Sequence, residues 1–241
     1  VYDLTNFTFN DMMASRAALR SIFDDGEPAT LSEAAERVVR LFYDHLGDGE
    51  GHRACSLVRL FKTHRYDALG PELQRFTAEK SPEVERGEDV RCLVLLATAG
   101  DQPDWNDTRR SRGHRVIPLM SESMVAQAPM ISQLITQFGI SIGNVLRPSR
   151  TLLLDLAERS FNVFYVPEAL GSPYIVAQEE FVVRHGIRSV LGFGGMLATG
   201  DLFAAILFSR VPIPPATADA FKVIGLNLKL AILPLARKPL F

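Results

Sequence analysis

The residues of this chain whose types and spacing invite a chemical reading are a glycine run, two cysteines, one arginine inside an apolar run, and scattered histidines and tyrosines. The run GIRSVLGFGGMLATGDLFAAILFSR, residues 186–210, holds five glycines. Glycine can bare backbone amides to a phosphate, so two phosphate signatures apply. A P-loop requires G-x-x-x-x-G-K-[ST]. Gly195 and Gly200 have that separation, but Asp201 and Leu202 stand where the lysine and the hydroxyl belong. A dinucleotide fingerprint needs a third glycine three residues after the second, and then a helix. Leu197 occupies that place, and LFAAILFS reads as a strand. A hairpin fits instead: two apolar runs joined by ATGD, with Gly200 free to take positive φ. Gly192, Gly194 and Gly195 inside the first run leave two accounts open, the close approach of a ligand or the close packing of a helix.

Arg59 interrupts the apolar run SLVRLF. Strand alternation places Cys55, Leu57, Arg59 and Phe61 on one face. A charged group there either lines a polar or anion-binding cavity or snorkels at a sheet edge. Tyr165, Tyr174 and Gln178 flank the segment before the hairpin and read either as a pocket mouth or as core residues with satisfied polar ends. The candidate ligand-binding set is Arg59, Phe61, Cys92, Met130, Leu134, Tyr165, Tyr174, Gln178 and Phe193. Cys55 and Cys92 lie in strand-like apolar runs and read as core thiols of a reducing compartment, with a nucleophilic role as the alternative. The histidines, at 45, 52, 64, 114 and 185, lack metal-ligand spacing, and a surface position is expected for each. No H-E-x-x-H or C-x-x-C occurs, and no catalytic or metal-binding residue is assigned.

The elements that must position these residues follow from periodicity. An amphipathic helix is expected over residues 5–24, and a second begins at the T-x-x-E of Thr30 and Glu33 and ends at GDGEG. Strands are expected at 54–63 and 90–98 with a short helix between them, then a long polar loop carrying Trp105, for which a surface or lid role is expected over a core one, and a short strand VIPL. Helical pattern covers 121–139, 149–160 and 177–185, with a strand at 161–166 closed by Pro167. The basic run RRSRGHR, 109–115, reads as a solvated loop. The unbroken apolarity of the hairpin strands means that helices cover both sheet faces. The terminal helix carries two apolar stripes. Phe221, Ile224, Leu228 and Ala231 form one; Val223, Leu226, Leu230 and Leu233, spaced three, four, three, form a miniature coiled-coil seam. That second stripe fits either a partner helix or fuller burial within one domain.

With 241 residues, 47% hydrophobic and 22% charged, the chain can build a sizeable core. A net charge of −2 gives no electrostatic reason to expect nucleic acid or anionic lipid as a partner. No apolar run is long enough to span a bilayer. The opening VYDLTNFTFNDMM carries acids and amides where a secretory leader has a basic and then an apolar segment, so a cytoplasmic location is expected.

The order helix, strand, strand, cross-over helices, strand, short helix, glycine-rich hairpin and terminal helix resembles the GAF domain. EEFVVRHGIRSVLGFGGMLATGDLFAAILFSR, 179–210, looks like the GAF ending, and the match extends loosely over residues 30–233. YDLTNFT, CLVLLATAGDQPDWN and FNVFYVPEALGSPYIVAQEEF are similar to GAF-type sensory segments at the front of bacterial sensor histidine kinases and related signalling proteins. The resemblance implies an α/β (α+β) fold: a central antiparallel sheet with helices on both faces and the N- and C-terminal helices packed together. It implies a helical lead-in over 1–29 and a sensory domain over 30–241. Such a domain is a cytosolic input module without catalytic residues. It senses an unidentified small molecule or relays a conformational signal, forms a homodimer through its terminal helices, and acts on an output domain. The alternatives are a dimerisation module without a ligand and a small-molecule enzyme using a cysteine. The cofactor is unknown. The N-K-F-D-E pattern of cyclic-nucleotide-binding GAF domains is absent. Cys55 is followed by Ser56 and Cys92 by Leu93, unlike the cysteine–histidine of bilin-binding members. Free-methionine-sulfoxide reductases of this fold use more cysteines than the two present.

Overall fold

The computed structural model describes residues 1–86, 89–111, 113–149 and 161–241. A two-stranded parallel pair, β1 (Tyr2–Asp3) with β2 (Leu46–Gly47), ties the N-terminus to the end of α2 (Leu31–His45). The main sheet has six strands in the order β5–β4–β3–β8–β7–β6, every pair antiparallel. They are β3 (Cys55–Arg65), β4 (Arg91–Gly100), β5 (Val116–Leu119), β6 (Phe164–Val166), β7 (Ser189–Met196) and β8 (Leu202–Ser209).

One face carries α1 (Phe9–Ser21), α2 and α7 (Pro215–Ile232), with α3 (Pro71–Lys80) at the side. The core beneath them centres on Phe42, Phe193 and Phe221. Phe193 meets each of the other two rings edge-on, at 5.1 Å between centroids. The opposite face carries α4 (Glu122–Ala126), α5 (Pro129–Gln137), α6 (Ile142–Leu146) and a π-helical turn, Gln178–Val183, over a second core. With both faces covered, β7 and β8 are buried along their whole length, the physical reason for their unbroken apolarity.

Local chemistry explains most element boundaries. Thr8 and Asp11 form a complete capping box on α1. Thr30 caps α2 by accepting from the Glu33 amide at 3.1 Å, but the Glu33 carboxylate takes the Ala29 amide at 2.8 Å rather than closing the box on Thr30. The free amides of Leu31 and Ser32 donate to the carbonyls of Pro239 and Leu240, so the C-terminal tail seals the start of α2. The helical pattern expected at 121–139 splits into α4 and α5 at Pro129, which lacks the amide needed to continue. The strand expected at 161–166 shortens to β6, and the helix expected at 177–185 winds as a π-turn whose Val182 and Arg184 amides reach back five residues. The helix expected at 149–160 falls almost wholly outside the described residues.

The hairpin β7–β8 turns at Leu197–Asp201, where Gly200 has φ +84° and the Leu197 amide donates to Asp201. A strand, not a helix, follows Asp201. The glycines of β7 are closed over by protein. The rings of Phe164 and Phe161 lie over Gly192 and Gly195, and Gly225 of α7 sits so close to Gly194 that a Cβ there would lie 3.3 Å from its amide nitrogen. Close packing by β6, the residues before it, β8 and α7, rather than ligand approach, accounts for the run.

Candidate functional site

The site is built from the floor upward. On β3, the pairing to β8 slips between Cys55 and Leu57. That irregularity turns Cys55 into the first core, while Leu57, Arg59 and Phe61 face the other side of the sheet. The four residues expected on one face are therefore three. On β8, alternation aims Ala204, Ile206 and Phe208 the same way. Helix α5 stands off from this floor and presents Met130 and Leu134. The segment before the π-turn supplies Tyr174 and Ile175, and the polar loop supplies Trp105. Together they enclose a cavity of about 770 Å³, within the range of small-ligand sites.

Trp105 is held from below. Its carbonyl accepts from Thr98 Oγ1 at 2.9 Å, and its ring meets Phe181 and His185 edge-on at 5.7 and 4.5 Å. Asn106 fixes the same turn by donating to the carbonyls of Gly100 and Gln102. Arg59 stands in mid-sheet, opposite Thr98 on β4 and Ile206 on β8. Its Nε is buried without a hydrogen-bond partner, and burial pulls its pKa down to about 10. Ser111 Oγ, also buried and unpartnered, lines the same cavity. At the rim Arg110 and Asp104 pair with each other at 2.5 Å, and the pKa of His114, an exposed residue, is lowered by desolvation first and then by Arg59 and Lys80.

Of the nine candidate residues, Arg59, Phe61, Met130, Leu134 and Tyr174 line this cavity. The other four lie elsewhere. Cys92 and Phe193 point into the first core, on the far side of the sheet. Tyr165 packs against that core and its hydroxyl donates to the Ile213 carbonyl. Gln178 braces the cavity wall without facing it: Nε2 donates to the carbonyls of Ala169 and Ile175 at 3.1 and 2.7 Å, and Oε1 accepts from Gly171 at 2.8 Å. Trp105, the lone tryptophan of the polar loop, lines the cavity wall. Ile206, Ala204 and Ser111 were not singled out from the sequence. Period-two alternation along LFAAILFS gives the first two; Ser111 has no local signal.

A second polar grouping lies at the far end of β3. Lys62, almost fully buried, donates to Asp201 at 2.8 Å, and Arg91 reaches the other oxygen of the same carboxylate at 2.5 Å. Burial alone would raise Asp201, yet the two cations hold it below the usual carboxylate range. His64, expected at the surface, is buried beside them, and desolvation pushes its pKa down to about 3. Both cysteines are free and buried, and desolvation pushes each thiol up to about 12. Asp48, Glu50 and His52 cluster on an outer turn whose polar atoms already bond one another.

Compared with protein-family models and with curated proteins, the chain matches none. No described helix is long and apolar enough to cross a membrane.

Proposed function

We propose that this chain is a GAF-like sensory input module that binds a small molecule in the cavity and passes its occupancy through α1 and α7 to an output domain. The observation that carries the reading is the placement of the cavity. Its floor is formed by β3, β4 and β8, whose other face carries α2, and the terminal helix α7 rests on β7, the ladder partner of β8. Along β8, Ala204 and Ile206 face the cavity while Phe203, Ala205 and Leu207 face the first core. A ligand that shifts the floor therefore acts through β8 on its ladder partner β7, against which α7 rests, and a difference in affinity between two arrangements of that helix is the signal. The antiparallel sheet with helices on both faces, and α1 lying against α7 with Arg16 donating to Asn227 at 3.4 Å, agree with a GAF-like architecture.

A collapsed dimerisation module would fill this space with large side chains; an open cavity supports the ligand reading over it. The cysteine-enzyme alternative needs a thiolate, and thiols with pKa about 12 supply none at neutral pH. The test is thermal denaturation of the purified chain against a metabolite panel, with spin labels on α7 reporting distances in the responding cases. A raised Tm together with an altered distance is expected. A panel that moves neither rules out ligand sensing.

A further inference from the structure

Arg59 is a cation that the fold brings indoors and leaves unmatched. Three other arginines on or beside the strands of the main sheet each hold a carboxylate: Arg91 holds Asp201, Arg115 holds Glu72 and Arg210 holds Asp101. Among the described residues no acid pairs with Arg59, and its Nε has neither a protein partner nor solvent access. A buried charge without a partner is costly, and replacing it with an apolar side chain would cost the fold nothing. The position is also central rather than marginal: β4 and β8 flank Arg59 on either side, so it does not snorkel from a sheet edge.

We infer that the cavity takes an apolar monocarboxylate, its acid group on the Arg59 guanidinium and its hydrocarbon or aromatic body along the floor and α5. The inference rests on the cavity being a ligand site. Three features set the class. The floor around Arg59 is hydrocarbon, with Leu57, Phe61, Leu202, Ala204 and Ile206 as neighbours, which fits a body and not a second polar group. At the rim Asp104 and Arg110 pair with each other, so among the described residues Arg59 is the unpaired charge facing the ligand. A single planar guanidinium matches a carboxylate through two parallel N–H···O bonds, whereas a phosphate dianion calls for more cations or a nest of amides. The glycine run offers no such nest, because its residues pair along the β7–β8 ladder. Ser111 Oγ, buried and unpartnered on the same cavity, is a further donor for the acid.

Trp105 is the sole tryptophan of the chain and lines the cavity, so its fluorescence reports binding directly. The probes are two matched pairs: dodecanoate below its micellar concentration against 1-dodecanol, and naphthalene-2-carboxylate against naphthalene-2-carboxamide. Calorimetry is run alongside. In each responding pair the acid binds at least tenfold tighter than its neutral partner, and the better pair tells an acyl from an aryl body. Arg59→Met reduces the acid to the neutral partner's affinity while its own Tm stays level or rises. Neutral partners binding as tightly as the acids, or Arg59→Met keeping the preference, overturns the carboxylate assignment and leaves ligand sensing in place. If neither member of either pair changes fluorescence or heat, the cavity assignment falls with it. The comparison of acid with neutral probe on the unaltered chain depends on no variant's folding.

Discussion

His64 is a titratable ring enclosed in a strand, with Nε2 lacking a partner and its pKa pushed down to about 3 by burial first and by Lys62 second. In the unfolded chain an imidazole titrates near 6.5. Above that pH both states are neutral and the ring contributes no pH dependence. Below it the unfolded chain takes up a proton that the folded chain refuses, so stability falls with pH from about 6.5 towards 3. Between pH 7 and pH 5 this one ring accounts for a loss on the order of 2 kcal/mol. Urea denaturation across that range measures it, and His64→Gln is expected to remove about one proton from the slope; an unchanged slope would show that the ring titrates normally. The sequence points the other way because FKTHR places lysine, threonine and histidine in succession, the usual signature of a strand leaving the core. What buries them is Asp201, a carboxylate 139 residues from Lys62, and no local pattern carries that information. Arg59 differs: a charge inside SLVRLF is anomalous on its own, and that anomaly was legible before any coordinates.

Among the elements, the β7–β8 hairpin is tied to its neighbours at its turn. Asp201 accepts from Lys62 of β3, from Arg91 of β4 and from Thr199 beside it, and Thr63 Oγ1 takes the Leu202 amide at 2.9 Å. The aspartate that rules out a phosphate loop in the sequence is thus the anchor of the turn. Asp201→Asn leaves the Lys62 ammonium buried without a counter-charge, and removal of one partner from such a pair costs about 3–5 kcal/mol. Chemical denaturation of the variant measures that loss; a change below about 1 kcal/mol would mean the pair is solvated. The hairpin itself was readable, since two apolar runs around ATGD admit few other structures. The slip at Cys55–Leu57 and the π-turn were not, because each adjusts the register by a residue to fit partners distant in sequence. Four of the nine candidate residues lie off the cavity partly for that reason: which face a strand residue meets depends on register, and alternation alone cannot supply it.

At the scale of the molecule, one sheet separates a cavity from a helical layer, and in the proposed sensory module the outermost surface of that layer is the exit for the signal. Helix α7 buries Phe221, Ile224 and Leu228 completely against the sheet, while Leu226 and Leu230 remain 36% and 57% exposed and Val223 before them and Leu233 after them are half-buried. Alongside, α1 exposes Phe9 and Met13. The three, four, three spacing of the exposed stripe matches the seam of a coiled coil, and in the homodimer that the GAF resemblance implies its counterpart is the same stripe of a second copy. Since Leu226 and Leu230 contribute little to the fold of one copy, Leu226→Glu with Leu230→Glu is expected to change its stability by less than about 1 kcal/mol. The same pair of charges on a self-complementary seam places like charges opposite one another and separates the copies. Sedimentation velocity at tens of micromolar is expected to show a dimer for the parent chain and a monomer for the double variant, with equal Tm in dilute solution. A monomeric parent, or a double variant that stays dimeric, would place the outgoing contact somewhere other than this stripe.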